Sequence, residues 1–169
     1  MKRHLFCVVL GTMIAWASLP VAASIMNYTV HLDGAQAGVA TPATGIAFLT
    51  LDDVADTLFV SLVYSGLTSP TTNAHIHCCA PPGSNAGVVI PFIPAGFITG
   101  ATSGSFTATF SLTPALVDDI LSGLSYINIH TAAFPAGEIR GQIVPEPATL
   151  VLLGIGLAGL AATRRRNLS

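Results

Sequence analysis

Along residues 26–33 apolar and polar side chains alternate. Met26, Tyr28, Val30 and Leu32 fall on one side, and Asn27, Thr29, His31 and Asp33 on the other. A period of two marks a strand with one face against a core. Residues 45–51 and 57–64 repeat the theme, with Leu58, Val60, Leu62 and Tyr64 sharing a face. Asp52-Asp53-Val54-Ala55-Asp56 between them predicts a hairpin connection. Residues 103–112 set Phe106, Ala108, Phe110 and Leu112 against Thr107, Thr109 and Ser111, a further strand. The period then changes. Thr113 as N-cap, Pro114 at the first helical position, Leu116, Val117, Ile120 and Leu121 on one face and Gly123 past the end predict one short helix. Strands over 125–131 and 138–144 complete the pattern. About seven short strands joined by turns rich in Gly, Pro and Ser predict an all-β domain, a single small β-sandwich or barrel with Greek-key connections. Residues 79–87, rich in Pro and Gly, read as a long irregular loop.

Both ends break this alternation with uniformly apolar runs. Met1-Lys2-Arg3-His4 gives a basic start, Leu5 begins an apolar run that reaches Trp16, and small residues close the segment at Val21-Ala22-Ala23. This is the layout of a secretory signal peptide over residues 1–23, cut after Ala23 by signal peptidase. At the other end Val144-Pro145-Glu146-Pro147 precedes an unbroken apolar stretch, and Arg164-Arg165-Arg166 follows it. The fifteen apolar residues 148–162 span ~22 Å as a helix, short of a hydrocarbon core of ~30 Å. A marginal transmembrane helix over 148–163 is therefore expected, with the arginines on the cytoplasmic side and the domain outside. The motif Pro145, Glu146, Pro147 with its helix and arginines resembles the PEP-CTERM sorting signal. That resemblance implies a tail of residues 145–169 recognised and cut by an exosortase-type enzyme, and membrane attachment only until that cut. Gly154, Gly156 and Gly159 spell a dinucleotide-binding fingerprint, but no βαβ unit surrounds them, and small residues in a membrane helix account for them better.

Residues 24–144, about 121 in number, remain as one domain. Removing the ends changes the charge picture. Of the basic residues only Arg140 is left, against Asp33, Asp52, Asp53, Asp56, Asp118, Asp119 and Glu138. A domain this acidic has no basic patch for nucleic acid, whereas cations and neutral ligands stay open to it. No G-x-S-x-G, H-E-x-x-H or phosphate loop is present, so no enzymatic activity is expected.

Candidate chemistry gathers around His75-Ile76-His77. Residues two apart on a strand share a face, so the two imidazoles project together. His130 ends one predicted strand and Glu138 starts another. Three imidazoles and a carboxylate would suit zinc or copper. The competing reading has these groups tying loops down through hydrogen bonds, with no cofactor. Arg140 shares a strand face with Glu138 and Gln142, and its planar guanidinium can bridge a carboxylate and backbone carbonyls. A structural clamp of Glu138 and Arg140 is the reading adopted, with a bound carboxylate or sugar as its rival. Cys78 and Cys79 allow three readings: free thiols, a vicinal disulfide, or soft ligands beside His75 and His77. An oxidising destination favours the disulfide.

Leu32-Asp33-Gly34-Ala35-Gln36, Tyr64-Ser65-Gly66-Leu67, Ala74-His75-Ile76-His77, Tyr126-Ile127-Asn128-Ile129-His130-Thr131-Ala132 and Gly137-Glu138-Ile139-Arg140-Gly141-Gln142, in this order, resemble the CHRD domain named from chordin. The likeness covers about residues 26–143 and departs at Cys78-Cys79, where the common pattern has a small residue. It implies a surface or secreted module and carries over no enzymatic activity. Together the features predict an exported, non-enzymatic surface or extracellular-matrix module, with exopolysaccharide or a matrix protein as its partner. The alternative is a metal-binding or redox β-sandwich protein using His75, His77 and His130.

Overall fold

The computed structural model describes residues 24–145. The signal peptide read at 1–23, Glu146 and Pro147 of the sorting motif, and the helix read at 148–163 lie outside the described residues. Eight strands are present: β1 (Ile25–Asp33), β2 (Thr44–Asp52), β3 (Thr57–Ser65), β4 (Thr71–Cys78), β5 (Gly87–Pro91), β6 (Gly104–Ser111), β7 (Ser125–Thr131) and β8 (Ile139–Ile143). Helix α1 (Gly34–Ala37) follows β1, a 3-10 turn (Ile93–Ala95) follows β5, and helix α2 (Pro114–Leu121) follows β6.

The expected alternation sets the inward faces. Tyr28, Val30 and Leu32 of β1, Ala47, Leu49 and Leu51 of β2, and Leu58, Val60, Leu62 and Tyr64 of β3 are all buried. Each such valine or leucine, removed from water, contributes about 1.5–3 kcal/mol before ordering entropy is subtracted. Asp52 shapes the β2–β3 turn by accepting from the N–H groups of Val54 and Ala55 at 3.0 and 2.8 Å. The Thr113 hydroxyl caps α2 by accepting from Leu116 N–H, and Val117 and Ile120 dock the helix on the core.

All strands join one antiparallel sheet in the order β5-β4-β7-β8-β1-β2-β3-β6. The sheet curls into a nearly closed barrel, the second of the two architectures expected. Its seam, between edge strands β5 and β6, is aromatic. Phe92, just past β5, stacks on Phe106 and Phe110 of β6 at 4.7 and 5.7 Å between ring centres. Phe97 meets Phe106 and Tyr64 beside them.

Three elements exceed the sequence expectation. β5 begins where the irregular loop was expected to end, and its Val88 and Val89 are exposed, so it never shows the alternation of a half-buried strand. α1 is a single turn capped by Asp33, whose carboxylate accepts from Gln36 N–H at 2.8 Å. The 3-10 turn carries Pro94 and ends at Gly96 in the left-handed region.

Candidate functional site

β4 sends Ala74 and Ile76 into the core and His75 and His77 to the opposite face. Its neighbour β7 places His130 opposite Asn73, Asn128 opposite His75 and Tyr126 opposite His77. Cross-strand partners share a face, so the three histidines, Asn128 and Tyr126 lie together outside the barrel wall. An outer face is ordinarily wet. Here the loops over 79–86 and 132–138 fold across it, and His75 and His77 are only 6% and 9% exposed.

The His75 ring centre lies 4.5 Å from those of His77 and His130, which are 6.2 Å from each other. Each residue offers one ring nitrogen such that all three lie within 4.8 Å of one another. His77 Nδ1 donates to Ala86 O and His130 Nδ1 to Pro135 O, both at 2.8 Å. A carbonyl can only accept, so each Nδ1 carries the proton and each Nε2 keeps its lone pair. Those two Nε2 atoms and His75 Nδ1 are buried without a partner. Burial first, and then the neighbouring His130 and His77, push the pKa of His75 down to about 4. Burial also lowers that of His77, against the opposing pull of its bond to Ala86. His75 and His77 are accordingly neutral at neutral pH.

Tyr126 and Arg140 wall one side. The Tyr126 ring stacks on His77 at 4.6 Å, with planes 9° apart, and its hydroxyl accepts from Ala86 N–H. Arg140 lies over the other aromatic face, 3.3 Å from the ring centre, a cation–π contact. Its guanidinium donates to Ser84 O at 2.8 Å, Asn85 Oδ1 at 3.3 Å and Gln142 Oε1 at 3.4 Å. Arg140 thus pins the loop that covers the histidines.

Glu138 is no ligand of the histidine cluster; it ties loops down through hydrogen bonds, as the competing reading had it. Its Oε1 accepts from the Thr41 hydroxyl and Thr68 N–H, and its Oε2 from the Thr131 hydroxyl, each at 2.8 Å. With both oxygens committed and the side chain fully buried, it stands apart from the histidine cluster. Nor does it pair with Arg140. The expected joint clamp resolves into two separate ones, because Glu138 precedes β8 and turns to the strand-end loops while Arg140 crosses Tyr126. Burial raises the Glu138 pKa, but the bonds from Thr68, Thr131 and Thr41 outweigh it and leave the pKa below the ordinary carboxylate value.

Gly137, at φ 118°, explains the glycine before Glu138: a Cβ there would overlap the Asn128 amide, which donates to Ala136 O at 3.1 Å. Cys78 and Cys79 are joined sulfur to sulfur at 2.02 Å across a cis peptide. Bonded sulfurs have no thiolate to offer a metal, so these cysteines are not ligands beside His75 and His77. Asp119 Oδ2 sits 2.9 Å from Cys79 Sγ, a sulfur that in the disulfide has no proton to donate. Pro145, the one sorting-motif residue described, is exposed beside β1.

Sequence reasoning missed Tyr126, Asn128, Thr41, Thr68 and Thr131 as parts of these clusters. The alternation of Tyr126, Asn128 and His130 held a signal for the first two, since their face is the histidines' own. A family model for the CHRD domain matches residues 28–143, and one for the PEP-CTERM protein-sorting motif matches residues 144–166. No curated protein and no solved structure matches the chain.

Proposed function

The chain belongs to the CHRD-domain family and carries the PEP-CTERM motif of an exported, exosortase-sorted protein, and from that premise we propose a non-enzymatic surface or extracellular-matrix module released by cutting near Pro145-Glu146-Pro147. Signal peptidase first removes residues 1–23, and the apolar C-terminal segment then holds the domain at the membrane until the exosortase-type enzyme acts. Exopolysaccharide or a matrix protein is the partner that suits such a destination.

The observation that supports this reading is where the barrel stops. Ile143, the last residue of β8, is fully buried, whereas Val144 and Pro145 are exposed. A cut at the motif falls past β8 and would leave every described strand intact. Mass spectrometry of mature protein from a host with the sorting enzyme should find Arg164, Arg165 and Arg166 missing. An intact C-terminus there would overturn the processing step and leave a permanent membrane anchor.

A further inference from the structure

We propose that His75, His77 and His130 form a binding site for one late first-row divalent metal ion, copper(II) or zinc(II), held by three neutral imidazoles. This goes beyond the delivery role above and does not rest on it.

Three buried ring nitrogens lack partners, His75 Nδ1, His77 Nε2 and His130 Nε2, and each ring offers a nitrogen within 4.8 Å of those of the other two. Buried polar atoms normally find partners, and three together without one make a cluster of unused acceptors. Two of the rings are oriented as metal-bound histidines usually are, with the second nitrogen donating to a backbone carbonyl, here Ala86 O and Pro135 O. The spacing suits an ion. Donors 4.8 Å apart at most surround a centre lying about 2.8 Å from each, and a ring tilt of about 0.8 Å would reach the usual metal–imidazole distance.

The donor set selects the ion. Imidazole nitrogen suits zinc and copper, whereas calcium and magnesium require oxygen. The carboxylate that the sequence offered as a fourth ligand, Glu138, is fully occupied by Thr41, Thr68 and Thr131. His130 is the least covered of the three rings, so the entry path and any fourth ligand lie on its side.

The test titrates the full-length, chelator-stripped chain in detergent with copper(II) and, separately, zinc(II) by calorimetry, and reads the copper form by electron paramagnetic resonance. Saturation at one ion per chain is expected, with hyperfine coupling to three imidazole nitrogens. Affinity should fall at least about 10-fold in His77→Gln and in His130→Gln, since losing a ligand costs no less than losing its supporting partner. His31→Gln, at an exposed position of β1, should bind as the native chain does. Where His77→Gln fails to fold by circular dichroism, the more exposed His130→Gln decides. Absence of saturable binding, binding retained in both variants, or fewer than three coupled nitrogens on the native chain would each overturn the proposal.

Discussion

β7 runs between two buried polar clusters that differ in one respect. At Glu138 every acceptor faces a donor: two threonine hydroxyls and one backbone N–H meet the two carboxylate oxygens. At His75, His77 and His130 one ring nitrogen of each stays buried without a partner. The same fold thus contains a polar cluster closed on itself and one still open. A closed cluster contributes its hydrogen bonds to stability, and breaking it strands desolvated groups. An open one already carries that cost, so changing it in the metal-free chain should alter stability little.

The largest expected effect separates the two. Glu138→Gln removes a buried charge and sets an amide donor against donors, and it should destabilise the domain by about 3 kcal/mol. His75→Leu, of similar volume, deletes an unpartnered nitrogen and should stay within about 1 kcal/mol of native. Denaturant titration of both variants would break the comparison if His75→Leu proved as damaging as Glu138→Gln.

Arg140→Lys comes next. It keeps the charge but loses the planar contact with Tyr126 and the paired reach to Ser84 and Asn85. A loss of about 1–3 kcal/mol is expected, read as a lower denaturant midpoint. An unchanged midpoint would show that the covering loop holds its place without the guanidinium.

The dependence on acid distinguishes the clusters by pH window. The folded pKa of His75, about 4, lies below its unfolded value of about 6.5, so the unfolded chain binds the extra proton between them. Stability from the neutral ring is complete above about pH 6.5 and is lost as pH falls toward 4. Glu138, also lowered, keeps its contribution above its unfolded value of about 4.3 and loses it as pH falls through the folded one. Melting temperatures of the metal-free chain from pH 8 to 3 should therefore decline in two stages. His75→Leu should flatten the upper stage and leave the lower.

Much of the barrel was legible because a half-buried strand writes its geometry as alternation. β1, β2, β3 and β6 follow their patterns residue by residue, and the Thr113 cap with Pro114 announces α2. β5 was not legible, since an exposed edge strand of consecutive valines that sends only Ile90 inward shows no alternation. The pair His75 and His77 could be read from a spacing of two. That His130 joins them depends on the β4–β7 register, a long-range pairing with no local trace. Glu138 illustrates the limit most clearly: its partners Thr41 and Thr68 lie 97 and 70 positions away. A shared strand face suggested Arg140 instead, because local geometry was all the sequence offered.

The place of β8 in the sheet has a consequence in time. It pairs with β1 on one side and β7 on the other, so it joins the group β5-β4-β7 to the group β1-β2-β3-β6. A chain emerging N-terminus first has both groups available before the strand that unites them. Closure must bring Asp33 to Arg140 across most of the domain's length, a high-contact-order step of the kind that slows folding. The barrel can therefore complete only when residue 143 is free, at the threshold of the sorting motif.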